Sequence, residues 1–208
     1  MDAQPTLDQV AWHDRELGMF VHFGLSTYRD RKSWRQPGGA SLFNPDRLDA
    51  GQWADVAQSL GAKYLVMTAK HADGFCLWQT ETNDYGVKSS PWKDGRGDVV
   101  EEISTACAKR GIDFGVYLSP ADANFGAKVG ARVADEQRQL EYAAMYRRQL
   151  EELLTRYGPI CEVWFDGSCV VDVGDILERH VPHAMVFQSK YATIRWVGNE
   201  AGFAPDPA

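Results

Sequence analysis

Short apolar runs that end on a polar side chain recur along this chain of 208 residues. The run 161–166 is the clearest, because Trp164 and Phe165 lead directly into Asp166 and a glycine follows at once. Four runs share this form, and their polar end residues are His22, His71, Tyr117 and Asp166. A buried parallel strand has this form when it delivers a functional group to one edge of a sheet. The pattern therefore indicates an enzyme rather than a scaffold.

Strand-like and helix-like segments alternate almost throughout. The predicted strands cover 18–24, 63–69, 112–118, 161–166 and 184–188, with 193–198 as a candidate sixth. The predicted helices cover 49–60, 98–110, 132–157 and 175–180. This order predicts an α/β fold with a parallel sheet, and polar residues at several strand ends favour a TIM-like β/α barrel.

About six β/α units do not complete an eight-stranded barrel, which usually needs about 250 residues. The sequence leaves three alternatives open: a truncated piece, an open barrel, or a barrel closed by unusual means. We expect one domain over residues 1–208, without a C-terminal β-sandwich. An open barrel would expose a strand edge, so a homo-oligomer that covers the open side is also expected.

Two of the predicted helices carry end signals and an apolar face. Asp49 and Asp98 can cap their helices, and glycine follows each helix at 61 and 111. On the first of them we expect Trp53, Val56 and Leu60 to face the core. The apolar stripe predicted on the helix 132–157 consists of Leu140, Tyr142, Ala143, Tyr146, Leu150, Leu153 and Leu154.

Composition excludes several classes of partner. Hydrophobic residues make up 44% of the chain and the formal net charge is −7, which argues against a nucleic-acid partner. No run of about 18 apolar residues is present, so we expect no membrane span. The N-terminus lacks a signal-peptide pattern, and the four cysteines lack C-x-x-C spacing, so a reducing, cytoplasmic location without zinc is expected.

Two carboxylates are the candidate catalytic residues. Asp166 stands where a buried strand ends, and its aromatic neighbours predict partial desolvation; the alternative is an Asp that caps the next turn. Glu200 lies in a second glycine-rich loop, where a plain surface Glu is the alternative. Glycoside cleavage needs such a pair, one to attack or stabilise the sugar cation and one to protonate the leaving oxygen.

Histidines and tryptophans complete the candidate site. His22 and His71 could bind sugar hydroxyls, although histidines satisfied inside the core are the alternative. A metal site with His22, His71 and Asp166 is less favoured, because the chain has no H-x-H pair. Flat apolar faces on which a sugar ring could stack come from Trp34, Trp78, Trp164 and Trp196.

These blocks together resemble the α-L-fucosidase family of retaining glycoside hydrolases along almost the whole chain. The blocks are Gly18-Met19-Phe20-Val21-His22-Phe23-Gly24, Leu42-Phe43-Asn44-Pro45, Gln52-Trp53, Ala62-Lys63-Tyr64, Thr68-Ala69-Lys70-His71-Ala72-Asp73-Gly74-Phe75, Gly115-Val116-Tyr117-Leu118-Ser119 and Val163-Trp164-Phe165-Asp166-Gly167. The segment 195–202 is similar to the branch that prefers α-1,3 and α-1,4 linked fucose. The resemblance implies a fucosylated oligosaccharide or glycoconjugate as substrate, without a cofactor or metal.

The resemblance also implies roles for single residues. Asp166 matches the nucleophile and Glu200 the acid/base of that branch. The matched substrate-binding residues are His22, Trp34, His71, Tyr117 and Trp164. Two departures, Ala72 and Ser33, stand where the family usually has a second histidine and often a glutamate. Losing polar partners could alter sugar preference, so a non-catalytic fucose-binding protein remains the alternative.

Overall fold

A computed structural model describes residues 4–30 and 36–204. Its strands are β1 (Gly18–Val21), β2 (Tyr64–Lys70), β3 (Asp113–Leu118), β4 (Ile160–Trp164) and β5 (Met185–Phe187). Its α-helices are α1 (Leu7–His13), α2 (Ala50–Leu60), α3 (Val99–Ala108), α4 (Glu136–Arg156) and α5 (Gly174–His180). Short 3-10 helices cover Leu25–Tyr28, Ala40–Leu42, Val87–Ser89 and Trp92–Gly95.

The five strands form one parallel sheet in the order β1-β2-β3-β4-β5. Each strand therefore pairs with its neighbour in sequence, and the order never reverses as it would in a doubly wound sheet. This confirms the predicted α/β fold with a parallel sheet. Because all strands run the same way, the loops that follow them gather at one edge of the sheet.

Local end signals explain where the helices begin. The side chain of Asp49 accepts the backbone N–H of Gln52, and that of Asp98 accepts the N–H of Glu101, as the sequence predicts. Helix α1 was not predicted, although Thr6 and Gln9 form a capping box at its start. The T-x-x-Q pattern is the sequence signal that would have revealed it.

Alternation along the strands separates two faces of the sheet. One face joins the helices in a single hydrophobic cluster that includes Leu65, Met67, Val116, Val163 and Val186. The helices contribute to the same cluster through Ala54, Ala57, Ile103, Cys107, Leu150 and Leu153. Successive side chains of a strand point to opposite faces, so Thr68, Tyr117 and Trp164 belong to the other face, which carries the candidate site.

Three details of the sequence prediction are wrong. The buried residues of α2 are Ala50, Ala54 and Ala57, whereas Val56 and Leu60 are about half exposed. Small side chains on that face allow α2 to lie close to α3, with which it makes many contacts. Leu140 at the start of α4 is 67% exposed, although the other large apolar residues of the predicted stripe are buried.

The third detail concerns the candidate sixth strand at 193–198, which does not form. Ile194 makes one isolated bridge to Phe187 at the end of β5. The hydroxyl of Thr193 accepts the N–H of Val186, so a side chain replaces a backbone carbonyl at that point. A segment held in this way follows β5 only briefly and cannot continue a ladder.

No helix in the described ranges 4–30 and 36–204 is long and apolar enough to cross a bilayer.

Candidate active site

A cleft of about 730 Å³ lies at the edge where the loops following β1 to β4 gather. Six of the seven predicted site residues line it, namely His22, His71, Tyr117, Trp164, Asp166 and Glu200. Trp34, the seventh, and Ser33 lie outside the described residues. Residues predicted from distant parts of the sequence therefore meet in one cavity, at the edge of the sheet that the strand-end argument indicated.

Asp166 lies two residues beyond the end of β4. The hydroxyl of Tyr117 donates a hydrogen bond of 2.7 Å to its Oδ2. The predicted partial desolvation is wrong, because Asp166 is exposed. Phe165 is fully buried in the hydrophobic cluster on the opposite face, so it does not cover the carboxylate. Asp166 is thus an accessible carboxylate at the wall of the cleft, oriented by one phenol.

The two histidines form an aromatic group with Tyr117. The His71 and Tyr117 rings stack in parallel planes with centroids 5.6 Å apart, and His22 meets Tyr117 edge-on at 5.5 Å. The Phe20 ring stacks on the His22 ring, with centroids 4.8 Å apart, and so covers one face of the imidazole. Both histidines line the cleft, and neither is fully buried.

The protonation of His22 follows from its surroundings. Burial lowers the pKa of His22, and the charge of Asp166 opposes that effect only in part. Its Nδ1 lies 3.3 Å from the hydroxyl oxygen of Thr68, and that hydroxyl donates to the carbonyl of Val21. Because Thr68 has one hydrogen to give, its oxygen accepts from Nδ1–H. Neutral His22 then offers Nε2 as an acceptor, which suits a sugar hydroxyl.

Aromatic side chains continue the lining of the cleft. Trp164 packs against Phe20 and Phe187, with centroids 5.0 and 3.7 Å away. Trp196 lies 6.4 Å from Trp164 and is 48% exposed, so its face is open to the cleft. Trp78 is different: it is fully buried and donates its indole N–H to Glu152, which makes it a core residue.

Glu200 lines the cleft together with Asp166 and is exposed. It lies in the loop after Ile194, where Ala201 and Phe203 donate backbone N–H groups to the side-chain oxygen of Asn199. The cleft also includes Ala72, the position at which the sequence departs from the family pattern. A methyl group there offers no hydrogen bond to a sugar hydroxyl.

A buried ion pair supports the loop between β3 and α4 that lines one side of the cleft. The ammonium of Lys70, fully buried, donates to Asp122 at 3.0 Å and to Gln149 at 2.9 Å. Burial alone would lower the pKa of Lys70, but the charge and hydrogen bond of Asp122, together with Tyr142 and Cys76, outweigh it, and the pKa lies above its usual value. Backbone groups of Asp122 pair with Ala127, so the ion pair fixes a loop that reaches the cleft.

Sequence reasoning missed several groups around the cleft. Lys128 and Val129 line it from the loop after β3, and no strand-end pattern could indicate them. Gln188 follows β5 directly and accepts backbone N–H groups of the turn after Asp166. Its position directly after a strand was the available signal, but an amide side chain at a strand end does not by itself indicate a function.

The metal alternative finds no site in the part of the chain that the structure describes. Within residues 4–30 and 36–204, no group of three or more histidine, cysteine, aspartate or glutamate side chains is placed to hold a metal ion. His22, His71 and Asp166, which that alternative requires, do not form such a group.

Comparisons with known proteins agree on one family. The α-L-fucosidase family model matches residues 25–194. α-L-Fucosidase 1 of Arabidopsis thaliana is 39% identical over 213 residues, which cover 96% of this chain and 40% of that protein. The chain therefore spans well under half the length of that curated relative.

Solved structures give the same result. A glycoside hydrolase 29 family member from an unknown rumen bacterium has a TM-score of 0.83 and 38% identity, covering 95% of this chain and 38% of that one. A variant glycoside hydrolase 29 fucosidase from Ruminococcus gnavus, solved in complex with fucose, has a TM-score of 0.81 and 30% identity, covering 99% and 47%.

The fold and the cleft thus define a protein of the α/β class, with a parallel sheet whose strand ends open into a cleft lined by carboxylates, histidines and tryptophans. Within that class, the chain belongs to the α-L-fucosidase family.

Proposed function

We propose that this protein is a retaining α-L-fucosidase that releases terminal fucose from oligosaccharides or glycoconjugates. One observation carries the proposal: Asp166, Glu200 and two histidines line the same cleft, and Asp166 accepts a hydrogen bond from Tyr117. Family membership supports the choice of sugar, and the complex of the Ruminococcus gnavus relative with fucose supports it further.

The proposed reaction has two steps. The carboxylate of Asp166 attacks the anomeric carbon, the glycosidic C–O bond breaks, and Glu200 gives its proton to the departing oxygen. Glu200 then takes a proton from water, whose oxygen displaces Asp166 from the anomeric carbon and releases fucose. This mechanism predicts that the two carboxyl groups stand about 5–5.5 Å apart when substrate is bound.

The remaining cleft residues bind the sugar in this proposal. His22 offers an acceptor at Nε2, His71 and Tyr117 bind hydroxyl groups beside it, and Trp164 and Trp196 give apolar faces for the ring. Trp34 is the proposed aromatic that closes over the sugar. A preference for α-1,3 and α-1,4 linkages is the finer proposal, and the five sequentially ordered strands are proposed to be part of a β/α barrel wall.

Product analysis tests the function. Incubation with an aryl α-L-fucoside and with fucosylated trisaccharides should release free fucose, and NMR should detect the α-anomer before mutarotation. A β-anomer as the first product would exclude retention. Fucose binding without release would favour the non-catalytic alternative, and the trisaccharides reveal the linkage preference.

Self-association is a separate proposal. If a homo-oligomer covers an open strand edge, light scattering should give a mass above 23.3 kDa at low micromolar concentration. A monodisperse monomer would contradict it without affecting the proposed reaction.

A further inference from the structure

The turn that follows Asp166 is held by a side chain from the neighbouring strand end. The backbone N–H groups of Gly167 and Ser168 both donate to Oε1 of Gln188, the first over a short contact and the second at 3.2 Å. Gln188 directly follows β5, and β5 pairs with β4. Two successive N–H groups that converge on one oxygen form a small nest, here filled by an amide rather than an anion.

The backbone on both sides of this contact has left-handed dihedral angles. Gly167 and Ser168 have φ of +74° and +72°, and Gln188 and Ser189 have φ of +59° and +84°. Residues other than glycine rarely adopt this backbone conformation, and it persists only where surrounding contacts impose it. Residues in such a conformation cluster at functional sites. Three of them lie in the turn after Asp166 or beside it, namely Ser168, Gln188 and Ser189.

A second contact restrains the same turn from the other side. A Cβ atom added to Gly167 would lie 2.6 Å from Cγ1 of Val129, so Val129 lies directly against the glycine. Val129 belongs to the loop after β3, which is fixed by a bridge between Gly130 and Cys169. The turn is thus held between Val129 and Gln188, and Asp166 at its start meets the hydroxyl of Tyr117.

We propose that Gln188 is a positioning residue for Asp166. Its amide oxygen holds Gly167 and Ser168 in the left-handed conformation, and this keeps the carboxylate of the preceding Asp166 at the Tyr117 hydroxyl. Gln188 does not line the cleft, so it acts through Asp166 and not on the sugar. The inference rests on the proposed function only for its kinetic consequence, because the restraint on the turn is a property of the folded chain.

The kinetic test compares two substitutions at one position. Gln188→Met keeps the length of the side chain and removes the acceptor, whereas Gln188→Glu keeps an acceptor oxygen. The measured quantity is the rate at which an activated 2-fluoro-fucosyl reagent labels Asp166. We expect Gln188→Met to slow labelling at least about tenfold, because small displacements of reacting groups carry large rate costs. The affinity for free fucose should change less than about threefold, and Gln188→Glu should label faster than Gln188→Met.

Gln79→Met is the matched control. The amide of Gln79 also bonds two backbone groups, the carbonyls of Gly95 and Gly97, but it lies outside the cleft lining. We expect it to lower thermal stability without slowing labelling. Wild-type labelling in Gln188→Met, or equal slowing in Gln188→Met and Gln79→Met, would overturn the proposal.

Amide hydrogen exchange tests the restraint without any reaction. Exchange at Gly167 and Ser168 should become at least about tenfold faster in Gln188→Met and stay unchanged in Gln79→Met. Unchanged exchange in Gln188→Met would overturn the inference. If the wild-type chain neither releases fucose nor becomes labelled, the proposed function fails, and the exchange rates still decide whether Gln188 holds the turn.

Discussion

Two carboxylates, one in the middle of β4 and one just beyond its carboxyl end, differ in almost every physical respect. Glu162 lies within the strand, is 1% exposed, and accepts the indole N–H of Trp12 at 2.9 Å. Asp166 lies two residues past the strand, is exposed, and accepts the phenol of Tyr117 at 2.7 Å. Each accepts a hydrogen bond from one aromatic side chain, yet only Asp166 reaches the cleft.

The comparison shows that a carboxyl group can have a strongly raised pKa without lying at the cleft. Burial raises the pKa of Glu162 to about 7, against the opposing effects of the Trp12 hydrogen bond and the Arg15 charge. A search for perturbed carboxyl groups would therefore select Glu162 as the functional residue. Glu162 lies outside the cleft, so its burial is a cost to stability, whereas Asp166 is an exposed carboxylate that lines the cleft.

The largest expected effect separates the two residues by activity. In the proposed reaction, Asp166→Ala should lower kcat/KM by about 10⁴-fold or more, because no other group can form the covalent intermediate. Glu162→Gln should stay within about tenfold of wild type. Steady-state kinetics on an aryl fucoside measure both, with circular dichroism to verify folding. Near-normal turnover in folded Asp166→Ala would remove Asp166 from the mechanism.

Local signals made much of the fold predictable. The caps at Asp49 and Asp98, the glycine stops and the apolar strand runs depend on residues within one turn or one strand, so the sequence states them directly. The same runs also indicated which strand ends meet, since parallel strands all end at one edge. His22, His71, Tyr117 and Asp166 could be assigned to one site on that ground.

Contacts between distant residues could not be predicted in this way. The partner of Glu162 is 150 positions away, on a helix that was not predicted. The expected desolvation of Asp166 was wrong because Phe165 points to the opposite face, which alternation predicts once the strand bounds are known. Residues 193–198 have strand composition, but Thr193 and the left-handed residues before it prevent a ladder.

The second prediction uses pH to separate the two carboxylates by stability. Glu162 has a folded pKa near 7 and an unfolded pKa near 4.5, so the folded state binds the proton more tightly. Stability is then highest below the unfolded pKa and falls as the pH rises towards the folded pKa. At about 1.4 kcal/mol per pKa unit, the loss is about 3 kcal/mol between about pH 4.5 and 7.

Urea unfolding of wild type and Glu162→Gln at several pH values checks this. The variant keeps an oxygen for the Trp12 N–H, and its stability should vary much less across that range. Asp73, whose pKa burial raises to about 6, should leave a residual loss of the same sign that ends at a lower pH than the loss from Glu162. Parallel profiles for both proteins would show that Glu162 does not carry the pH dependence.

The third prediction concerns the phenol that orients Asp166. Tyr117→Phe removes a hydrogen bond to a charged group, so kcat/KM should fall by about 10- to 100-fold in the proposed reaction. The ring, and with it the stack on His71, remains. Tyr157→Phe is the matched control, since it also deletes a buried phenol that donates to a carboxylate, here Asp98 outside the cleft lining, and should cost stability only.

The smallest expected effect comes from the other aromatic donor. Trp12→Phe keeps an aromatic ring near Tyr64 but removes the N–H that Glu162 accepts. Because the bond is stronger to a charged acceptor, the loss should be about 1–2 kcal/mol at pH 8 and smaller at pH 5, where the carboxyl is neutral. Measuring Trp12→Phe in the Glu162→Gln background isolates the charge, since the pH dependence of the loss should then disappear. An equal loss of unfolding free energy at both pH values in the wild-type background would mean that Trp12 stabilises the chain by packing. The hydrogen bond from Trp12 would then not stabilise the buried charge of Glu162.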